Sequence, residues 1–312
     1  MKLVQYDNGG QIGVGVQVGD EVRYTGYNDM LSFIRDEERA LDRARSAIES
    51  GRPVRYDKLI APITNSGKIW GSGPNYLSHG QEDPDWVPSD EPMWDFIKLT
   101  SAVTGPYDDI VIPPNDDVIK RLPGGAAKFS EHGFAVDWEV EFAVVIGKTA
   151  KNVRRDDWLD HVFGYTIIND AGSRSVQFHF GQRDVGKNFD TFSPMGPCIV
   201  TKDEIPEISE VLIESYVNGQ RMQHEYIRDQ LNPPNVAIEW ISSVIRLDPG
   251  DVLSTGTPAG CGTFMNPPQF LKPGDVVRCS ASGIGHIENN VVLGTARTYP
   301  ATHATEPVLA HG

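Results

Sequence analysis

The stretch VDWEVEFAVVIGK, residues 136–148, restricts the possible folds more than any other part of the chain. Side chains on a strand alternate with a period of two, so Asp137, Glu139 and Glu141 share one face while Val136, Trp138, Val140 and Phe142 take the other. A half-buried antiparallel strand with a solvated outer face shows the same alternation. Here Ala143, Val144, Val145 and Ile146 continue the run with no polar face at all. The chain must therefore cover this strand on both sides, and the acids stand at the mouth of a buried strand. Carboxylates in such a place need a cation or a proton.

The rest of the chain reads as α+β and mainly β. Residues 3–24 alternate and are broken by Gly9-Gly10 and Gly19-Asp20, the signature of short strands joined by tight turns. Between 29 and 50, Leu31, Ile34, Leu41, Ala44 and Ile48 recur at helical spacing, which predicts one amphipathic helix closed by Gly51 and Pro53. From 68 to about 298, short apolar runs are punctuated by Gly, Pro and Asn-Gly, and helices are expected at 156–163 and 236–244. Pro-rich loops such as Ile112-Pro113-Pro114 suit a sheet-rich roll better than a doubly wound α/β fold. These boundaries give a small N-terminal unit with its connector (1–62), a large unit (63–300) and a tail (301–312).

Charge and motif content narrow the function. A formal net charge of −15 leaves no basic stripe for nucleic acid or an anionic membrane surface. No apolar run reaches membrane-spanning length, and MKLVQYDNGG lacks the apolar core of a signal peptide, so a cytoplasmic protein is expected. Cys198, Cys261 and Cys279 are widely spaced without CxxC, which suggests neither a disulfide framework nor a zinc site. Gly71-Ser72-Gly73 lacks the third glycine of a dinucleotide fingerprint, and Gly256-Thr257-Pro258-Ala259-Gly260 lacks the lysine of a P-loop. No organic cofactor is implied. HExxH and GxSxG are both absent, so zinc-protease and serine-hydrolase readings have no support.

Three motifs carry chemistry. YTIINDAGSRSVQ (165–177) ends an apolar strand in Asp170, followed by Arg174. If this strand folds back beside 136–146, Glu139, Glu141 and Asp170 converge as an oxygen-only set suited to a hard cation, Mg2+ or Mn2+. Asp170 alone equally suits a turn or cap. IWGSGPNYLSHGQE (69–82) places His79 three residues before Glu82, so that on a helical turn the carboxylate orients the imidazole as a general base; taken alone, the pattern is common on surfaces. GKNFDTF (186–192) sets Lys187 among small and apolar residues, although most lysines are simply solvated.

Seven blocks in order, NYLSHGQE, FIKLTSAVTGP, DWEVEFAVVIGK, GYTIINDAGSRSVQ, GKNFDTFSPMGPCIVT, STGTPAGCG and LKPGDVVRCSASGIGHIEN, make residues 60–295 resemble the fumarylacetoacetate hydrolase superfamily. The resemblance implies a mixed β-sandwich roll with a small N-terminal α/β appendage, usually dimeric. It assigns Glu139, Glu141 and Asp170 to a divalent metal and His79 with Glu82 to a water-activating dyad on a mobile segment. It gives Lys187 to substrate polarisation, Tyr76, Arg174, Gln177 and Thr257 to substrate binding, and Asp137 a place behind the ligands. The sequence departs from the family at Pro74 and Ser175 and in the acidic, proline-containing loop 82–92. The implied activity is hydrolytic carbon–carbon cleavage of a 1,3-diketo acid such as an acylpyruvate through a metal-bound enolate. Oxaloacetate decarboxylation or hydroxydienoate isomerisation on the same site is the alternative. The implied partners are a small diketo acid and a second copy of the chain. Two non-catalytic readings, a metal-stabilised binding protein and a β-rich interaction module, leave the dyad and Lys187 without a purpose.

Overall fold

Glycines in the left-handed region, Gly9 (φ 60°) and Gly10 (φ 86°), turn the strand Lys2–Asn8 into Gln11–Val18, which pairs in turn with Glu21–Tyr27. The computed structural model describes residues 1–88, 94, 96–114, 119, 128–180 and 182–295; the expected tail 301–312 and the end of the loop 82–92 lie outside them. The N-terminal strands do not form a sheet of their own. Lys2–Asn8 pairs with Ser193–Thr201, so they extend the main sheet of the large unit. The sheet then runs through Val162–Asn169, Val140–Ile146, Val252–Ser254, Ile69–Gly71 and Phe96–Lys98. Its pairings along that path are antiparallel except between Val252–Ser254 and Ile69–Gly71. A second, five-stranded mixed sheet orders Gln220–Tyr226, Leu212–Val217, Val276–Ala281, Gly285–Leu293 and Ile110–Ile112.

The buried strand at the centre has two different covers, which explains its continuous apolar run. Ala143 and Val145 pack into a cluster with Met30, Phe33, Ile34, Ala40 and Ala44 from the N-terminal helices. Phe142, Val144 and Ile146 face a second cluster that contains Ile213, Val277 and Ile287 from the five-stranded sheet. Each of these large aliphatic or aromatic side chains contributes roughly 1.5–3 kcal/mol on burial. That gain anchors a strand whose first residues include a buried acid, Glu141, with an unfavourable desolvation cost.

Several local expectations change. The single helix predicted over 29–50 is two, Met30–Arg35 and Glu37–Ser50, broken where Glu37 adopts φ 45°. The break resets the helical phase, and the buried set becomes Met30, Phe33, Ile34, Ala40, Ala44 and Ala47. The segment expected as a helix at 156–163 is a 3-10 turn, Arg155–His161, with no buried residue; the one expected at 236–244 is Pro234–Val244, with proline in its first turn. The strand read over 136–146 is interrupted. Val136–Asp137 pairs with Gly172–Ser173, Trp138 and Glu139 belong to no strand, and Val140–Ile146 resumes in the main sheet.

Candidate metal and proton-transfer site

The interruption at Trp138–Glu139 builds the site. Asp137, released from the strand alternation, turns to the backbone N–H groups of Gly262 (2.8 Å) and Thr263 (3.0 Å) and to Nε of Arg174 (2.9 Å). Glu139 is fixed by its own backbone, with its N–H on the side chain of Asn169 at 3.0 Å and its carbonyl accepting from Asp170 N–H at 2.8 Å. The ladder puts Val140 opposite Asn169. Glu139, Glu141 and Asp170 therefore meet where two buried strands end, each offering a carboxylate oxygen within 4.8 Å of the others.

Cations surround this triad. Arg174 Nη2 and Lys187 Nζ each approach Glu139 at 2.5 Å, and Lys187 also donates to Asp170 Oδ2 at 2.7 Å and to its carbonyl at 3.0 Å. Asp170 Oδ1 forms an ion pair at 2.7 Å with Lys98 without hydrogen-bond geometry; Lys98, fully buried, donates to the carbonyls of Ala171 and Phe192. Glu141 receives Ser254 Oγ (2.6 Å) and Gly256 N–H (3.0 Å) on the same oxygen, Oε2. Gly256 sits at φ 89°, and a Cβ there would stand 2.7 Å from Asn75 Cβ, so only glycine presents this N–H without strain.

The electrostatics divide the acids. Burial alone would raise Glu139, but the adjacent Lys187 and Arg174 charges hold it well below the usual carboxylate range. Burial pushes Glu141 up to about 8, and the negative charges of Asp170 and Glu139 push in the same direction. Burial would lower Lys187, and the acids Asp170 and Glu139 outweigh it and raise the ammonium. The cluster is thus short of one positive charge at Glu141. Three carboxylates without nitrogen or sulfur, with an ammonium already bridging two of them, fit a hard divalent cation.

Opposite the acids stands the dyad. Leu77–Gly80 forms a single helical turn, and the next turn brings Glu82 N–H to His79 carbonyl at 3.2 Å. Nδ1 of His79 lies 2.7 Å from Glu82 Oε2, while Glu82 Oε1 accepts from Gly260 N–H at 2.8 Å. Phe264 meets the imidazole edge-on, ring centroids 5.5 Å apart. His79, Glu139, Glu141, Arg174, Gln177, Lys187 and Thr257 all line one cavity of about 310 Å³. Arg174 and Gln177 share it because Arg174–His179 is a helix, which puts positions three apart on one face, Arg174 Nη1 donating to Gln177 Oε1 at 3.1 Å.

Two assigned residues stand elsewhere. Asp170 is not in the cavity wall, its carboxylate being held by Lys98 and Lys187. Tyr76 is fully buried outside the wall with its hydroxyl on Gln230 Nε2 at 3.2 Å, so the structure does not bring this expected substrate-binding residue to the site. Sequence reasoning missed Lys98, Ser254, Gly256 and Phe264, and also Arg183, which lines the same cavity. Lys98 alone left a signal, a lysine inside the apolar run FIKL. A larger cavity, about 690 Å³ beside Tyr6, Tyr24 and Arg55, contains none of the candidate catalytic residues.

The chain is 38% identical over 307 residues to the mitochondrial oxaloacetate tautomerase of Xenopus laevis, covering 94% of this chain and 90% of that protein. It is 37% identical over 268 residues to a human mitochondrial oxaloacetate tautomerase, covering 84% of this chain and 79% of the relative. These relatives are mitochondrial, which overturns the expected cytoplasmic location. Among solved structures, maleylpyruvate hydrolase from Sphingobium sp. SYK-6, in complex with manganese and pyruvate, superposes with a TM-score of 0.74 at 29% identity, covering 95% of this chain and all of that one. Fumarylacetoacetate hydrolase from Exiguobacterium antarcticum gives a TM-score of 0.77 at 29% identity, with 94% and 100% coverage. The profile of the fumarylacetoacetate (FAA) hydrolase C-terminal domain matches residues 68–292, and the chain belongs to that enzyme family.

Proposed function

We propose that this chain moves a proton between C3 and the 2-oxo oxygen of a dicarboxylate of the oxaloacetate class, interconverting its keto and enol forms. The observation that carries the reading is an imidazole oriented by a carboxylate across one cavity from a buried acid triad. Glu139, Glu141 and Asp170 would hold a divalent cation, which when bound would supply the Lewis acidity that makes the C–H next to a 2-oxo group easier to deprotonate. With Nδ1 committed to Glu82, the Nε2 lone pair of His79 is the proton acceptor at C3. Lys187, Arg174 and Gln177 compensate the negative charge that grows on the 2-oxo oxygen. The imidazolium then delivers the same proton to that oxygen to give the enol, or back to C3 in the reverse direction. Trp86, Phe96, Phe178 and Phe264 in the wall limit the access of bulk water. The names of the vertebrate relatives support this reading.

Carbon–carbon hydrolysis, the activity implied first by the sequence, is the second reading. His79 can equally take a proton from water, and the likeness to maleylpyruvate hydrolase favours it. Both are tested on one Mg2+- or Mn2+-loaded preparation, following the ultraviolet absorbance of enol-oxaloacetate, pyruvate release from oxaloacetate, and cleavage of acylpyruvates. The tautomerase reading expects enol-to-keto relaxation well above the buffer rate. Relaxation at the buffer rate together with rapid acylpyruvate cleavage would replace it with the hydrolase.

A further inference from the structure

We infer that His79, Glu139 and Cys261 form a second metal site, suited to a borderline-soft cation such as Zn2+, whose occupancy switches the enzyme off. One ligand atom from each lies within 4.8 Å of the other two. They come from three separate places: the turn Leu77–Gly80, the irregular link before Val140–Ile146, and the residue preceding the 3-10 turn Gly262–Phe264. Ligand atoms around a tetrahedral zinc, with bonds of about 2.0–2.3 Å, stand roughly 3.3–3.8 Å apart. Side-chain adjustments of about an ångström therefore close the set, with a fourth position left toward the cavity that His79 and Glu139 line.

This set shares Glu139 with the acid triad and differs from it in its other donors. One imidazole, one thiolate and one carboxylate suit Zn2+ or Co2+, whereas three carboxylates suit Mg2+ or Mn2+. The outer contacts are those of a zinc histidine. Glu82 holds Nδ1 at 2.7 Å and is itself held by Gly260 N–H, which directs Nε2 to the metal. Phe264 fixes the ring plane, and Gln223 Nε2 donates to the Cys261 sulfur at 3.7 Å. Cys261 is fully buried, and its binding as a thiolate replaces the thiol proton: Zn2+ and the thiol give a zinc thiolate and release one H+. Thiolate and carboxylate together neutralise the dication. Glu139 must loosen one of its two cationic partners, Arg174 or Lys187, to take part.

Only the inhibition rests on the reaction proposed above; the site itself is read by spectroscopy whatever the reaction. Co2+ titrated into the metal-free full chain is expected to produce a near-ultraviolet thiolate-to-cobalt charge-transfer band, which carboxylate ligands alone do not give. Cys198→Ser and Cys279→Ser should keep the band, and Cys261→Ser should lose it. Cys261→Ser should also need at least about 100-fold more Zn2+ for half-inhibition of its own basal turnover, the upper end of what losing a mere outer-sphere partner costs. If Cys261→Ser fails to fold, Cys261→Ala takes its place, and the wild-type spectrum decides without any variant. No thiolate band in the wild type, a band that survives without Cys261, or equal zinc sensitivity with and without Cys261 would overturn the proposal.

Discussion

Glu139, Glu141 and Asp170 stand where two fully buried strands end and are exposed by 6%, 1% and 1%, whereas His79 and Glu82 ride on a four-residue helical turn and its exit, their side chains 10% and 18% exposed. The acids are bound by groups from across the fold: Lys98 from the sheet edge, Arg174 and Lys187 from two short helices, Ser254 from a neighbouring strand. The dyad touches the rest of the protein mainly through one backbone N–H, that of Gly260, and the edge of Phe264. The contrast teaches a division of labour. The half that must keep like charges together is built into the core, and the half that must pass a proton is a pair of side chains with few contacts of their own, on a turn that Ser78 ties to Glu225 and Ala259.

The strongest way to break that comparison is Glu141→Gln, which keeps the shape and removes the charge. The several kcal/mol contributed by a Lewis acid correspond to a loss of at least about 10³-fold in rate at roughly 1.4 kcal/mol per tenfold. Mn2+ binding, followed by electron paramagnetic resonance, should disappear with it. Intact Mn2+ affinity and turnover in this variant would show that the triad is not the metal centre. His79→Ala acts on the other half. Proton transfer should slow on the order of 10²–10⁴-fold while Mn2+ affinity stays at the wild-type level, and decarboxylation of oxaloacetate, if the wild type performs it, should fall much less. Equal losses in both reactions would assign His79 to substrate positioning.

A smaller effect concerns stability in the metal-free protein. Glu141 titrates near 8 when folded against an ordinary value of 4.5, so the folded state keeps a proton that the unfolded chain gives up. Its contribution is complete below about pH 4.5 and is lost as pH rises toward 8, amounting to a few kcal/mol at roughly 1.4 kcal/mol per unit. The depressed Glu139 acts in the opposite sense but at pH values below its ordinary 4.5, outside this window. Thermal unfolding of chelated protein should therefore show a falling midpoint between pH 5 and pH 8, as estimated by linkage. Glu141→Gln should flatten that slope, and Mg2+ or Mn2+ should lift the upper end by binding the folded state. A flat profile in the chelated wild type would mean that Lys98 and Lys187 already neutralise the cluster.

What was legible in the sequence follows from how local each signal is. Glu139 and Glu141 are two residues apart before a run without a polar face, and that pattern alone requires a covered strand with charges at its mouth. The His79 and Glu82 spacing needs only one helical turn to bring the side chains together, and the turn forms. Asp137 broke the expectation because the chain leaves strand geometry at Trp138, a change dictated by Gly262, Thr263 and Arg174 from elsewhere in the fold. The split at Glu37 was hidden for a similar reason: packing against Ala143 and Val145 selects the buried face, and helical periodicity does not reveal a reset in phase. Cys261 shows the limit most clearly. The spacing of the cysteines says nothing about His79 and Glu139, which come near Cys261 only in three dimensions.

The smallest expected effect is the most discriminating one for the division between the two halves. Glu82→Gln keeps the side-chain shape and an oxygen for Gly260 N–H, and loses the charge that orients the His79 ring. A hydrogen bond of this kind contributes about 0.5–1.5 kcal/mol net, so denaturant unfolding should register about 1 kcal/mol or less. Turnover should fall all the same, because an amide no longer stabilises the imidazolium formed during proton transfer, and the fall should appear in kcat with KM little altered. Mn2+ affinity should stay unchanged, since Glu82 is not part of the acid triad. A stability loss of several kcal/mol, or a metal site weakened along with the rate, would show that the dyad is part of the same cooperative network as the acids, and the separation of a fixed electrostatic half from a lightly anchored proton-transfer half would not hold.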